Sequence, residues 1–106
     1  FTNVLASLGH VIRLEFPGKA VGFGPAQLDE GQDPSGAFWL TQGTPSTPRM
    51  HLAFNAKNKE DVEAFHRVAL QAGGKDNGAP GYRPHYHPGY YAAFILDPDG
   101  YNIEAV

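Results

Sequence analysis

Hydrophobic and polar residues alternate through several short stretches of this chain, and other stretches are short apolar runs between turn residues. Both patterns are typical of strands, because successive side chains of a strand point to opposite faces of the sheet. They predict six strands, in the segments HVIRLEF (10–16), AVGFG (20–24), AFWLT (37–41), MHLAFNA (50–56), YYAAFILD (90–97) and YNIEAV (101–106).

A helical pattern stands out in NKEDVEAFHRVALQAGG (58–74), where the apolar residues recur every three or four positions. Asn58 is suited to cap the N-terminus of this helix, and Gly73 and Gly74 are suited to end it. A shorter helix is predicted around Val4–Leu8, with Gly9 as its C-cap.

Turn residues separate these elements. Asp97-Pro98-Asp99-Gly100 predicts a tight turn that makes the last two strands an antiparallel pair, and the segment 75–89 predicts a loop, since it is rich in Gly and Pro. Each half of the chain then resembles a β-α-β-β-β module, with the opening strand of the first half absent. We therefore predict a single α+β domain over 1–106, with module one at about 1–48 and module two at about 49–106.

Composition excludes several classes of function. The chain has 106 residues and a net charge of −3, and its basic residues are scattered, so we expect no nucleic-acid partner. No apolar run approaches the roughly 20 residues that a bilayer-spanning helix requires, so we expect no membrane partner. Cysteine is absent, which fits a cytoplasmic protein and leaves imidazole and carboxylate as the groups that could hold a metal.

Two polar residues lie within predicted strands, on the face opposite to the larger apolar residues. The side chain of His51 points away from the face that carries Met50, Leu52 and Phe54. The side chain of Glu104 likewise points away from the face that carries Tyr101, Ile103 and Ala105. If helices cover the apolar face, His51 and Glu104 both point to the other face. There they could bind a divalent metal or be solvated residues of an exposed sheet, and the spacing favours neither alternative.

The segment RPHYHPGYY offers a second candidate site. His85 and His87 are two residues apart, and in an extended segment they would point the same way and could chelate a metal. The alternative, which we favour, is a proline-stiffened aromatic loop at the edge of a pocket. In that interpretation Arg83, His85, Tyr86, His87 and Tyr91 are substrate-binding residues.

The paired modules and the ending YYAAFILDPDGYNIEAV resemble the vicinal oxygen chelate superfamily, which includes glyoxalase I, bleomycin resistance proteins and type I extradiol dioxygenases. The resemblance spans roughly the whole chain. The sequence is especially similar to the small bacterial members of the superfamily whose substrates are unassigned. It implies a curved mixed sheet with the helices on its outer face and a small-molecule ligand in the sheet cleft.

The resemblance also implies roles for particular residues. His51 falls on the metal-ligand position of the second module's first strand, and Glu104 falls on that of its last strand, as a ligand or proton shuttle. Trp39 occupies the corresponding position of the first module and cannot bind a metal, so it is expected to contact substrate. The fourth position would lie on the opening strand, which preceding residues or a partner chain would supply. We therefore expect a homodimer.

Two functions follow from these expectations. The first is a metal-dependent lyase or dioxygenase that holds one divalent ion of zinc, nickel, iron or manganese, with Glu104 as catalytic residue. The second is a metal-free binding protein of the drug-resistance type, without a cofactor. In it, aromatic side chains would stack on the ligand: Trp39, Tyr82, Tyr86, Tyr90 and Tyr91. The sequence leaves open whether the chain is an enzyme.

Overall fold

The computed structural model describes residues 1–106, which form two helices and seven strands. Their order along the chain is α1 (Thr2–Ala6), β1 (His10–Phe16), β2 (Ala20–Pro25), β3 (Phe38–Thr41), β4 (His51–Phe54), α2 (Lys59–Gln71), β5 (Lys75–Tyr82), β6 (Tyr91–Leu96) and β7 (Asn102–Ala105). All six predicted strands and both predicted helices are confirmed.

The strands form two sheets. The first is antiparallel with the order β1-β2-β3, and the second has the order β4-β7-β6-β5. In the second sheet β4 pairs with β7 in parallel, whereas β6 pairs with β5 and with β7 in antiparallel fashion. The α+β class is confirmed, and so is the antiparallel return of the last strand through the turn that ends at Gly100.

The loop prediction for residues 75–89 is wrong in its first half, because Lys75–Tyr82 form β5. Its Gly, Pro, Asp and Asn residues are rare in strands, and this composition masks the strand in the sequence. Pairing with β6 overrides that preference, with register irregularities between Asp76 and Gly78 and between Gly78 and Gly81. The strand lies at the edge of the sheet, where bulges and proline are tolerated.

Helix α2 has the boundaries that its sequence predicts. The Asn58 side chain accepts a hydrogen bond of 2.8 Å from the backbone N–H of Asp61, and Gly73 adopts a φ of 102° just after the helix ends. Because that φ lies in the left-handed region, a residue without a Cβ is favoured there.

The main core lies between the two helices and one face of the second sheet. Its buried residues are Val4, Leu8, Val62, Phe65, Ala69, Ala93, Ile95, Ile103 and Ala105. Neither helix is long and apolar enough to cross a bilayer.

Because side chains alternate along each strand, the residues between these core positions point away from the helices, and we call that side of the second sheet the open face.

Candidate functional site

A buried carboxylate occupies the open face. Glu104 lies in β7 between Ile103 and Ala105, which face the core, and its side chain is only 3% exposed. A buried carboxylate is costly unless it is paired or hydrogen-bonded. The surroundings of Glu104 supply two partners, one from β4 and one from the residue that precedes β6.

His51 is the first partner. It lies in β4, which is parallel to β7, and its Nε2 atom is 2.8 Å from Oε1 of Glu104. The imidazole donates this hydrogen bond when Nε2 carries the proton. The His51 side chain is 50% exposed, so the pair joins a buried carboxylate to a ring that solvent and ligands can reach. The structure therefore brings together the two residues that the sequence singled out as metal ligands.

Tyr90 is the second partner; the sequence analysis expected it to stack on a ligand and did not pair it with Glu104. Its hydroxyl donates a short hydrogen bond to Oε2 of Glu104. This bond, together with burial, raises the pKa of Tyr90 to about 12, so the phenol keeps its proton at neutral pH. Alternation along β6 is the signal that could have found it, because Tyr90 has the same parity as Ala92 and Phe94, whereas Ala93 and Ile95 face the core.

Phe94 and Arg83 extend the cluster across the open face. Phe94 is the direct cross-strand partner of Glu104, and its ring centroid is 6.0 Å from that of His51. The guanidinium carbon of Arg83 lies 5.4 Å from the centroid of the Phe94 ring, and the backbone N–H of Arg83 donates to the carbonyl of Tyr90. We call His51, Arg83, Tyr90, Phe94 and Glu104 the open-face cluster.

Tyr91 lies on the helix side of the sheet, away from this cluster. Its hydroxyl donates a hydrogen bond of 3.0 Å to Oε2 of Glu63, a residue of α2. The Lys59 ammonium lies 5.6 Å from the ring of Tyr91 and 4.5 Å from that of Tyr82. Tyr91 was predicted to bind substrate, but the structure places the neighbouring Tyr90, and not Tyr91, beside Glu104.

The loop 83–90 folds back through turns instead of running extended. The backbone N–H of Tyr86 donates to the carbonyl of Arg83, and the N–H of Tyr90 donates to the carbonyl of His87. The extended geometry assumed for His85 and His87 is therefore wrong, because these turn hydrogen bonds compact the segment despite the flanking prolines. The ring of His85 packs on Tyr86, and the rings of Tyr86 and His87 both pack edge-on against Tyr90. The loop thus joins the cluster through Tyr90.

Trp39 lies in the first sheet. Its ring stacks on Phe16 and passes so close to Gly22 that a Cβ atom there would lie 2.7 Å from it. Trp39 also lines a cavity of about 410 Å³, together with Met50 and Leu52. His51, between Met50 and Leu52, points to the opposite face, so this cavity is not the space above the open-face cluster.

The donors present do not complete a metal site by themselves. No group of three or more His, Cys, Asp or Glu side chains in the chain is arranged to hold an ion. Catalytic zinc sites use three protein ligands, whereas His51 and Glu104 are two and are already hydrogen-bonded to each other. A metal at this pair would therefore need at least one further ligand.

Comparison with known proteins identifies the family. Residues 15–105 match the family model of the Glyoxalase/Bleomycin resistance protein/Dioxygenase superfamily. The chain belongs to this superfamily. No curated protein matches the chain.

Several solved structures share the fold. A glyoxalase/bleomycin resistance protein from Albidiferax ferrireducens T118 is 25% identical, with a TM-score of 0.71 over 97% of this chain and 79% of its own. A glyoxalase-related enzyme from Fulvimarina pelagi is 18% identical, with a TM-score of 0.62 over 98% of this chain and 76% of its own. Lactoylglutathione lyase from Agrobacterium tumefaciens is 21% identical, with a TM-score of 0.55 over 97% of this chain and 76% of its own.

Proposed function

We propose that this superfamily member binds a small molecule on the open face of its second sheet, where the His51–Glu104 pair exchanges protons with the ligand and Tyr90 holds Glu104 in place. The observation that carries the proposal is a carboxylate only 3% exposed, held between a phenol and a half-exposed imidazole. A polar group is expensive to bury in a sheet, and the adjoining strand positions are apolar residues of the core.

The hydrogen bonds define what each group can do. Tyr90 keeps its proton at neutral pH and donates to Glu104, so it holds the carboxylate in place. The other carboxylate oxygen meets Nε2 of His51, whose ring is half-exposed and reachable from solvent. A bound ligand can therefore give a proton to, or take one from, the His51–Glu104 pair.

Aromatic surface beside these polar groups supports binding of an organic molecule. Tyr86 and His87 pack against Tyr90, and Phe94 lies between His51 and Arg83. Small-molecule sites combine apolar walls with a few convergent polar groups. His85, which packs on Tyr86, extends this wall.

A fragment screen tests the proposal. Small oxygen-containing compounds are titrated into isotopically labelled protein, and amide shifts are mapped with EDTA present. Binders should shift the amides of β4, β6 and β7, and His51→Ala and Glu104→Gln should abolish these shifts. Glu63→Gln is the matched control, because Glu63 also accepts a hydrogen bond from a tyrosine, Tyr91, but on the helix side. Binders that map elsewhere and are indifferent to His51→Ala would refute the proposal.

Metal-dependent lyase or dioxygenase chemistry is the second candidate. Its support is the pairing of one imidazole with one carboxylate, a donor set suited to zinc, nickel, iron or manganese. Calorimetric titration of metal-free protein with each of the four ions tests it. Stoichiometric binding that is lost in His51→Ala and in Glu104→Gln, and retained in Glu63→Gln, supports this candidate. Binding unaffected by His51→Ala counts against it.

A further inference from the structure

Arg83 is a cation without an anionic partner. The structure contains two ion pairs, His51–Glu104 and His66–Asp76, and Arg83 belongs to neither. Its one side-chain hydrogen bond runs from Nη2 to the carbonyl oxygen of Ala79, at 2.8 Å. A guanidinium has five N–H donors, so most of the donors of Arg83 remain available.

The position of this guanidinium is built into the fold. The side chain is half-buried and lies over the ring of Phe94, where the cation and the aromatic face attract each other. A Cβ atom on Gly81 would lie 3.0 Å from Nη1, and one on Gly78 would lie 3.3 Å from Nη2. The two glycines of β5 therefore leave room for the guanidinium, and the bond to Ala79 orients it.

Arg83 and the His51–Glu104 pair flank the same aromatic ring. Phe94 is opposite Glu104 in the sheet, His51 packs against one part of its ring, and Arg83 covers another. The Phe94 ring itself is only 7% exposed, so a ligand on the open face would lie across these covering groups and meet the positive charge of Arg83 and the half-exposed imidazole of His51 at once. A carboxylate matches the planar fork of arginine with two parallel hydrogen bonds.

We infer that the ligand of the open-face cluster is a small organic acid, whose carboxylate binds Arg83 while an adjacent oxygen function lies at His51 and Glu104. This inference rests on the proposed function, since it names the ligand class of the same site. In this inference, Arg83 makes the site bind an anionic ligand more tightly than a neutral ligand of the same shape.

Pyruvate and pyruvamide form a suitable probe pair, because they are nearly isosteric and only pyruvate carries a carboxylate. Both are titrated into the labelled protein with EDTA present, while the backbone amides and the Arg83 side-chain N–H signal are followed. Wild-type protein should bind pyruvate about 10- to 100-fold more tightly than pyruvamide, the range for a hydrogen-bonded charge. The Arg83 signal should shift with the same saturation curve.

Variants separate this inference from the proposed function. Arg83→Gln should remove the preference for pyruvate, whereas Arg67→Gln, which changes an exposed arginine of α2, should keep it. If His51→Ala leaves pyruvate binding unchanged while Arg83→Gln abolishes it, the proposed function fails and the anion site stands. If His51→Ala abolishes binding but wild-type protein binds both probes equally, the inference fails and the proposed function stands.

Two further results would overturn the inference on wild-type protein alone, so they do not depend on the stability of any variant. One is an Arg83 side-chain signal that does not move as pyruvate saturates the protein. The other is the absence of pyruvate binding at the highest concentration tested.

Discussion

Replacing Tyr90 with Phe tests the energetic role of the open-face cluster most directly. The substitution removes one hydroxyl and keeps the ring that packs against Tyr86 and His87. It leaves Oε2 of Glu104 without its donor, in a side chain that is only 3% exposed and that water cannot readily reach.

The expected cost follows from that geometry. A hydrogen bond to a charged group contributes about 1.5–3 kcal/mol to stability, and the protein loses about this much stability when the buried acceptor is left without a donor. We expect Tyr90→Phe to lower the free energy of unfolding by about 2 kcal/mol, which corresponds to a Tm decrease of roughly 10 °C in a domain of this size. Tyr91→Phe is the matched control, because its partner Glu63 is exposed and can be resolvated, so its cost should stay below about 0.5 kcal/mol.

Urea unfolding followed by circular dichroism measures both variants, with an unchanged m-value as the sign that two-state comparison holds. A Tyr90→Phe cost no larger than that of Tyr91→Phe would refute the argument, since it would mean that Glu104 does not depend on the phenol. In the Glu104→Gln background the cost of Tyr90→Phe should shrink, because a neutral acceptor forms a weaker hydrogen bond.

The same contact predicts behaviour in alkali. The folded state raises the pKa of Tyr90 from 10.0 to about 12, chiefly through the hydrogen bond to Glu104. Folding therefore favours the protonated phenol, and this contribution to stability is complete below pH 10 and is lost as the pH rises towards 12. Absorbance at the tyrosinate band should show a tyrosine that titrates near pH 12, and Tyr90→Phe should remove that step.

Three other predictions concern the surroundings of the site. The hydrogen bond from His66, and to a smaller extent that from the Gly78 N–H, holds the pKa of Asp76 below its usual value of 3.8. Asp76→Asn should therefore lower the free energy of unfolding at neutral pH. The difference in stability between the variant and the wild type should vanish as acid protonates Asp76. Urea midpoints at a series of pH values would show this, and a pH-independent difference would contradict it. Gly22→Ala places a Cβ 2.7 Å from the Trp39 ring and should cost about 1–3 kcal/mol, whereas Gly43→Ala, with open space around it, should be nearly neutral; equal unfolding midpoints would contradict this. We propose that the protein is a homodimer, to be checked by light scattering at micromolar concentration, where a monomeric mass would refute it.

Periodicity carried most of the fold prediction. A strand's alternation and a helix's stripe are local consequences of backbone geometry, so α2 and six of the seven strands could be predicted from sequence. The exception was β5, whose Gly, Pro and Asn residues resemble a loop. Its strand conformation comes from hydrogen bonds to β6, which are contacts between segments and leave no periodic signal in β5 itself.

The candidate site divides in the same way. Alternation along the strands predicted that His51 and Glu104 lie on the same face of the sheet, and an imidazole and a carboxylate are groups that can bind a metal or transfer protons. The parallel pairing of β4 with β7 brings Nε2 of His51 to 2.8 Å from Oε1 of Glu104. Alternation also distinguishes Tyr90 from Tyr91, although it was not applied there. The turns of the loop 83–90, and the placement of Arg83 over Phe94, depend on hydrogen bonds and packing between residues that no local pattern relates.

The sequence by itself thus determined the elements, the faces of the strands and the chemistry available: imidazole, carboxylate and aromatic groups, without thiols. Only the tertiary structure decided which of these groups meet. Glu104 is hydrogen-bonded to Tyr90 and His51. Arg83 has no anionic partner, and Trp39 stacks on Phe16 in the first sheet. The physical reason is that side-chain direction is set within a few residues of the backbone, whereas contacts between strands depend on register and packing across the whole domain.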